Sequence, residues 1–134
     1  NRAEYYRLLD QVRSEGDWEA WLDFFLEGVQ TTAAGAVTTA QRLVELFNAD
    51  AGLIQGSGRA AGSALRVHAA LRERPLISVK EICQRTGLSF PAATTGMNVL
   101  LKLGVARELT GKRRNRVFAY DGYLRVLAEG TEPL

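Results

Sequence analysis

The sequence predicts a mainly α fold, an N-terminal helical bundle segment followed by a winged helix-turn-helix with a two-stranded β-hairpin wing. Three observations carry this expectation. Apolar residues recur at helical spacing from Ala3 to Asn48. The stretch Ser78–Lys102 reads as capped helix, glycine turn, capped helix. Val105–Thr110 and Arg116–Tyr120 then alternate as short strands, joined by Gly111-Lys112-Arg113-Arg114-Asn115. The expected organisation is an acidic helical segment at 1–52, a linker at 53–62 and a winged module at 63–134.

In chain order, Ala3–Arg13 is expected to be helical, with Tyr5, Leu8, Leu9 and Val12 on one face. Gly16 ends that helix and Asp17 caps the next. The second helix carries a wide stripe of Trp18, Trp21, Leu22, Phe25, Leu26 and Val29. Aromatics at this spacing predict core, because they bury the most area per residue. Glu19, Asp23 and Glu27 line the opposite side and, with no His nearby in sequence, read as a solvated face rather than a metal site. A third helix is expected from about Thr31 to Asn48, with Ala36, Ala40, Leu43, Val44 and Phe47 inward. Gly56–Gly62 is glycine-rich but lacks the dinucleotide spacing and a preceding strand, so it reads as a connecting loop.

Ser63–Arg74 is expected to open the winged module, with Val67 and Leu71 inward and Pro75 as terminator. His68, the chain's one histidine, falls on or beside that apolar face and reads as structural. Ser78 and Glu81 form a capping box, and Val79, Ile82 and Cys83 share one face of the helix behind it. Gly87 is the left-handed stop and Leu88 the apolar plug in the turn. Ser89 caps the second helix, with Pro91 in its first turn. Ala93, Met97 and Leu100 face the core, while Thr94, Thr95, Asn98 and Lys102 fall elsewhere on its surface. Gly104 ends this helix. After the wing, Asp121 caps a last helix carrying Tyr123, Leu124, Val126 and Leu127, and Gly130–Leu134 reads as a frayed tail.

Composition narrows the classes. The 134 residues suit one or two small domains, and 46% apolar with 24% charged residues is a globular balance. No apolar run approaches the roughly 20 residues of a membrane span, and no signal peptide is visible. The single cysteine, Cys83, lies on an apolar helix face, has no internal disulfide partner and reads as buried and inert. A cytoplasmic compartment is expected. Charge divides unevenly: residues 1–52 hold four Arg against nine acids, net −5, and residues 53–134 hold thirteen cations against six acids, net +7. Adjacent cations at a hairpin tip repel one another and do not stabilise a fold, which points to a polyanion partner, double-stranded DNA, the alternative being a solvated charge run that keeps the hairpin edge soluble. The candidate contacts are Ser89, Thr94, Thr95, Asn98 and Lys102 in the helix-turn-helix and Lys112, Arg113, Arg114 and Arg116 in the wing. Base reading is expected to be weak, since the second helix has no Arg or Gln in its first two turns.

The segments NRAEYYRLLDQVRSEGDWEAWLDFFLEGV at 1–29 and LLKLGVARELTGKRRNRVFAYDGYLRVLAEGT at 100–131 resemble the C-terminal region of bacterial Fic (filamentation induced by cAMP) family proteins. In that family an Asn-Arg-x-x-Tyr-Tyr segment and a Trp-x-x-Trp helix follow the catalytic core, and a winged helix closes the chain. The resemblance implies a parent that transfers AMP from ATP to a hydroxyl of a target protein, with this chain a piece of something longer. The family's catalytic loop, His-Pro-Phe-x-x-Gly-Asn-Gly-Arg, has no counterpart here. His68 is followed by Ala69-Ala70, Gly56-Ser57-Gly58-Arg59 has Ser for Asn, and Ala51-Gly52-Leu53 stands where His-Pro-Phe would be. No catalytic residue, metal or cofactor carries over.

The expected function is therefore non-catalytic: DNA binding through the winged helix, in the service of transcription regulation. The competing expectation is a protein-interaction or dimerisation module, packing on the missing Fic catalytic domain or on a second copy. An enzyme in its own right finds no paired acid and base, metal cluster or activated nucleophile in the sequence.

Overall fold

The computed structural model describes residues 2–111 and 113–130. Lys112 and the expected tail at 131–134 lie outside the described residues, as does Asn1. The protein is mainly helical with a small antiparallel sheet. In order the elements are α1 (Arg2–Glu15), α2 (Trp18–Gln55), α3 (Ala61–Glu73), β1 (Leu76–Ser78), α4 (Val79–Thr86), α5 (Phe90–Lys102), β2 (Arg107–Glu108), β3 (Val117–Ala119) and α6 (Asp121–Gly130).

The α1–α2 corner forms as its residues dictate. Gly16 adopts φ 70° and its amide donates to the Val12 carbonyl at 3.0 Å. Asp17 then accepts from the Ala20 amide at 3.3 Å and from Gln11 Nε2 at 2.9 Å. Leu8 and Val12 are the buried face of α1.

The expected break near Thr31 is absent. α2 is one helix of 38 residues, and it also absorbs the first three residues of the stretch expected as a linker. The reason is local. Thr31 and Thr38 turn their hydroxyls back onto the Glu27 and Ala34 carbonyls, at 2.9 and 3.1 Å, and so are satisfied inside the helix instead of capping a new one. No proline intervenes, and the left-handed glycine that would stop a helix does not appear until Gly58, φ 106°. The final turn is not linker in its packing either, since Ile54 is fully buried in the core.

The N-terminal stripe is the larger correction. Trp18, Leu22, Phe25, Leu26 and Val29 were expected inside and are exposed, Trp18 at 61%. Every residue from Phe25 to Thr38 is exposed, and Ala36, Ala40 and Val44 are exposed as well. Trp21 is half-buried and stacks on Phe25, with centroids 5.4 Å apart and planes 7° from parallel. Of the inward set expected further along α2, only Leu43 and Phe47 are half-buried.

The C-terminal unit has the core the sequence predicts. Val67 and Leu71 of α3, Ile82 of α4 and Ala93, Met97 and Leu100 of α5 are buried together with Ile77, Phe118 and Tyr120. Gly96 sits where α5 crosses α3. A Cβ there would stand 2.9 Å from the Ser63 carbonyl oxygen and from Val67 Cγ2, so the close crossing admits only glycine without displacement. The caps also form. Ser78 Oγ accepts from the Glu81 amide at 3.2 Å, Gly87 takes φ 75°, and Ser89 Oγ accepts from the Ala92 amide at 3.3 Å. Leu88 and Cys83 are half-buried, packed against this core.

The sheet departs from the expected two strands. β1 pairs antiparallel with β3 (Ile77↔Phe118), and β2 pairs with β3 on its other side (Glu108↔Phe118), giving the order β1-β3-β2. β2 and β3 are also shorter than expected. The amides of Val105 and Ala106 turn back to the Leu100 carbonyl, at 2.9 and 3.2 Å, and so leave the ladder.

Candidate nucleic-acid interface

α5 offers a mixed polar face. Thr95, Asn98 and Lys102 are spaced i, i+3, i+7 on its exposed surface. Ser89, also exposed, has its hydroxyl committed to the cap. Thr94 is different: it is half-buried, and its Oγ1 is shut from solvent with no hydrogen-bond partner among the described residues.

The β2–β3 hairpin carries the cations. Its tip turns through Gly111 and Asn115, both with positive φ, 62° and 54°. Arg113 and Arg114 are exposed there, neither in an ion pair among the described residues. The fourth wing cation behaves otherwise. Arg116 donates through Nε and Nη2 to Glu108 Oε1, at 2.9 and 2.6 Å, and lies over the Phe118 ring at 5.0 Å. The Arg116 hydrogen bond holds the Glu108 carboxyl below the usual carboxylate range. Arg116 is thus a strut between the two strands, and among the described residues the tip cations beyond it are Arg113 and Arg114.

Tip and helix meet at a cleft of about 480 Å³ between the hairpin, the start of α4 and the start of α5. Lys80, Phe90, Arg113, Arg114 and Val117 are among its walls. Neither Lys80 nor Phe90 is singled out by the sequence as a contact. Phe90 lies at i−3 and i−7 from the buried Ala93 and Met97, which places it on the core stripe, yet it is 64% exposed. It occupies the first turn of α5.

A second polar cluster lies inside. Tyr120 donates to Asp50 Oδ2 at 2.5 Å, and His68 Nε2 is 2.9 Å from the same hydroxyl. With the hydroxyl proton directed to the carboxylate, a neutral His68 protonated at Nε2 completes the chain. Burial, with Arg72 nearby, holds His68 below the ordinary histidine value against the opposing pull of Asp50. Burial and the Asp50 bond push the Tyr120 phenol upward. The cluster joins α2, α3 and the end of β3. His68 is 2% exposed, as befits the structural role read from its position.

Among the described residues, no group of three or more His, Cys, Asp or Glu side chains is arranged to hold a metal ion, and no helix is long and apolar enough to cross a membrane. No protein-family model matches the chain, and no curated protein sequence matches it.

Proposed function

We propose that residues 63–134 form a winged helix-turn-helix that binds double-stranded DNA, with α5 directed to the groove and the β2–β3 hairpin as the wing. The observation that carries this reading is the meeting of two unpaired arginines at the hairpin tip with the start of α5 across one cleft. The element order α3-β1-α4-α5-β2-β3, with the sheet ordered β1-β3-β2, suits that module. Lys102, Lys112, Arg113 and Arg114 would contact phosphates, while Thr95 and Asn98 would meet the groove. With no Arg or Gln early in α5, most contacts position the protein and few read bases. Transcription regulation in the cytoplasm, by a non-enzymatic region of a Fic-like protein, follows from this reading and from the resemblance.

Anisotropy of labelled duplex DNA between about 50 and 300 mM salt tests it. Four phosphate contacts give a log–log slope of roughly −3 to −4. An Arg113→Ala/Arg114→Ala variant should flatten that slope by about 2. Affinity that does not change with salt, or no binding at all, rejects the reading.

The second reading is an interaction module, favoured by the apolar stripe on α2. Exposed contiguous apolar patches larger than a few hundred Å² are uncommon on monomers. Tyr6, Trp18 and Leu26, each more than half exposed, belong to the segment that carries the Fic resemblance. A Fic catalytic domain or a second copy of the chain would cover them. Sedimentation at rising concentration distinguishes the two, since self-association appears only with the second copy.

A further inference from the structure

We infer that the cleft between the hairpin tip and α5 receives one unpaired nucleotide at the end or fork of a duplex, its base stacked on Phe90 and its phosphate held by Arg113, Arg114 and Lys80. This rests on the nucleic-acid reading above and makes it more specific.

The argument starts from the ring. Of the four aromatic residues between Ser63 and Gly130, Phe118 and Tyr120 are buried and Tyr123 is half-buried. Phe90 alone stands out in solvent, 64% exposed. An exposed phenyl is commonly matched by an apolar surface, but here the cleft sets Lys80, Arg113 and Arg114 beside the apolar Val79 and Val117. A second copy of the same face would bring like charges together, and an apolar partner would have to desolvate them. A ring beside several cations matches a ligand that is flat and aromatic at one end and anionic at the other. A nucleotide has that chemistry, and aromatic platforms with basic surroundings are how proteins hold single strands. The positive end of the α5 helix adds to the potential at the same place.

Within an unkinked duplex the ring finds only base edges in the grooves, because the faces of paired bases stay stacked on their neighbours. A base freed at a fork or overhang exposes its face. The volume, about 480 Å³, lies in the range of roughly 300–1,000 Å³ typical of small-ligand clefts. The floor is stiff, since the Arg116–Glu108 pair and the Arg116–Phe118 contact fix the strands beneath the tip.

The test compares three labelled DNAs with one duplex sequence: blunt, bearing a four-nucleotide overhang, and bearing an overhang of abasic sites. The full chain is titrated with each, beside Phe90→Ala and Phe90→Trp. The inference expects the overhang to bind tighter than the blunt duplex by roughly five- to 150-fold, the range for stacking one base. Phe90→Ala should abolish that gain, read as the ratio of overhang to blunt affinity, Phe90→Trp should keep it, and the abasic overhang should lack it. Phe90 is exposed, so these changes spare the core. Blunt binding with no gain for the overhang, or a gain that survives in the abasic DNA or in Phe90→Ala, overturns the inference alone. Failure of all three DNAs to bind overturns the DNA-binding reading beneath it.

Discussion

The two ends of α2 are written in the same pattern and have opposite fates. Leu43, Phe47 and Ile54 lie on a helical stripe that continues Leu22, Leu26, Val29 and Ala36. Toward the C-terminus the stripe meets α3 and α6, and Ile54 has no exposed surface. Toward the N-terminus it is bare from Phe25 to Thr38. Periodicity states which side of a helix is apolar. It does not state whether anything covers that side, because coverage is a property of the partner. The N-terminal half therefore reads from sequence as core while being surface in this chain.

Substitutions on the one helix can break that contrast. Ile54→Ala should lose about 2–5 kcal/mol in urea unfolding, the usual range for truncating a buried aliphatic. Leu26→Ala should stay within about 0.5 kcal/mol, as for exposed positions. Equal losses would mean that the stripe is covered in solution, and the contrast would fail.

Next in size is the α3–α5 crossing. Gly96→Ala brings a methyl to 2.9 Å from backbone and should cost about 1–3 kcal/mol by overpacking, against the helix propensity that favours alanine. A more stable variant would show that the helices part easily.

Tyr120→Phe sharpens the view of the joint between α2 and the C-terminal unit. It strips the hydroxyl shared by Asp50 and His68 and should cost about 1–3 kcal/mol, the penalty for leaving buried polar groups without partners.

A smaller effect is pH-dependent. His68 is held below the ordinary 6.5, so as pH falls through 6.5 the unfolded chain takes up a proton first. His68's contribution is fully present above that pH and declines below it, until the folded-state value is reached. Unfolding curves from pH 7.5 to 5 should show this decline, and His68→Gln should reduce it. An identical profile for the variant would dissociate His68 from the effect.

Much of the C-terminal unit was legible because its signals are local. Ser78, Gly87 and Ser89 are caps with short-range chemistry, and Ala93, Met97 and Leu100 keep a helical spacing whose partners, α3 and α4, belong to the same unit. The strand β1 was not legible, since three residues after a proline give no alternation to read, and its pairing with β3 spans some forty residues. The candidate site divided similarly. The polar face of α5 and the run of cations could be seen in the letters. That Arg116 is engaged by Glu108, that Thr94 is half-buried, and that Phe90 overhangs its own core all depend on where other elements end.

α2 has a mechanical consequence. At about 1.5 Å per residue it is a rod of roughly 57 Å, and a little over half of that length, Trp18 to Thr38, projects beyond the clamp that α3 and α6 form on Thr39–Ile54. A rod fixed near one end is a lever. Tilting it by about ten degrees at the clamp sweeps the far end through roughly 5 Å for about 30 Å of free length. Whatever grips the tip thus works with mechanical advantage on the Asp50–Tyr120–His68 joint, and through Tyr120 on the strand that carries one side of the hairpin.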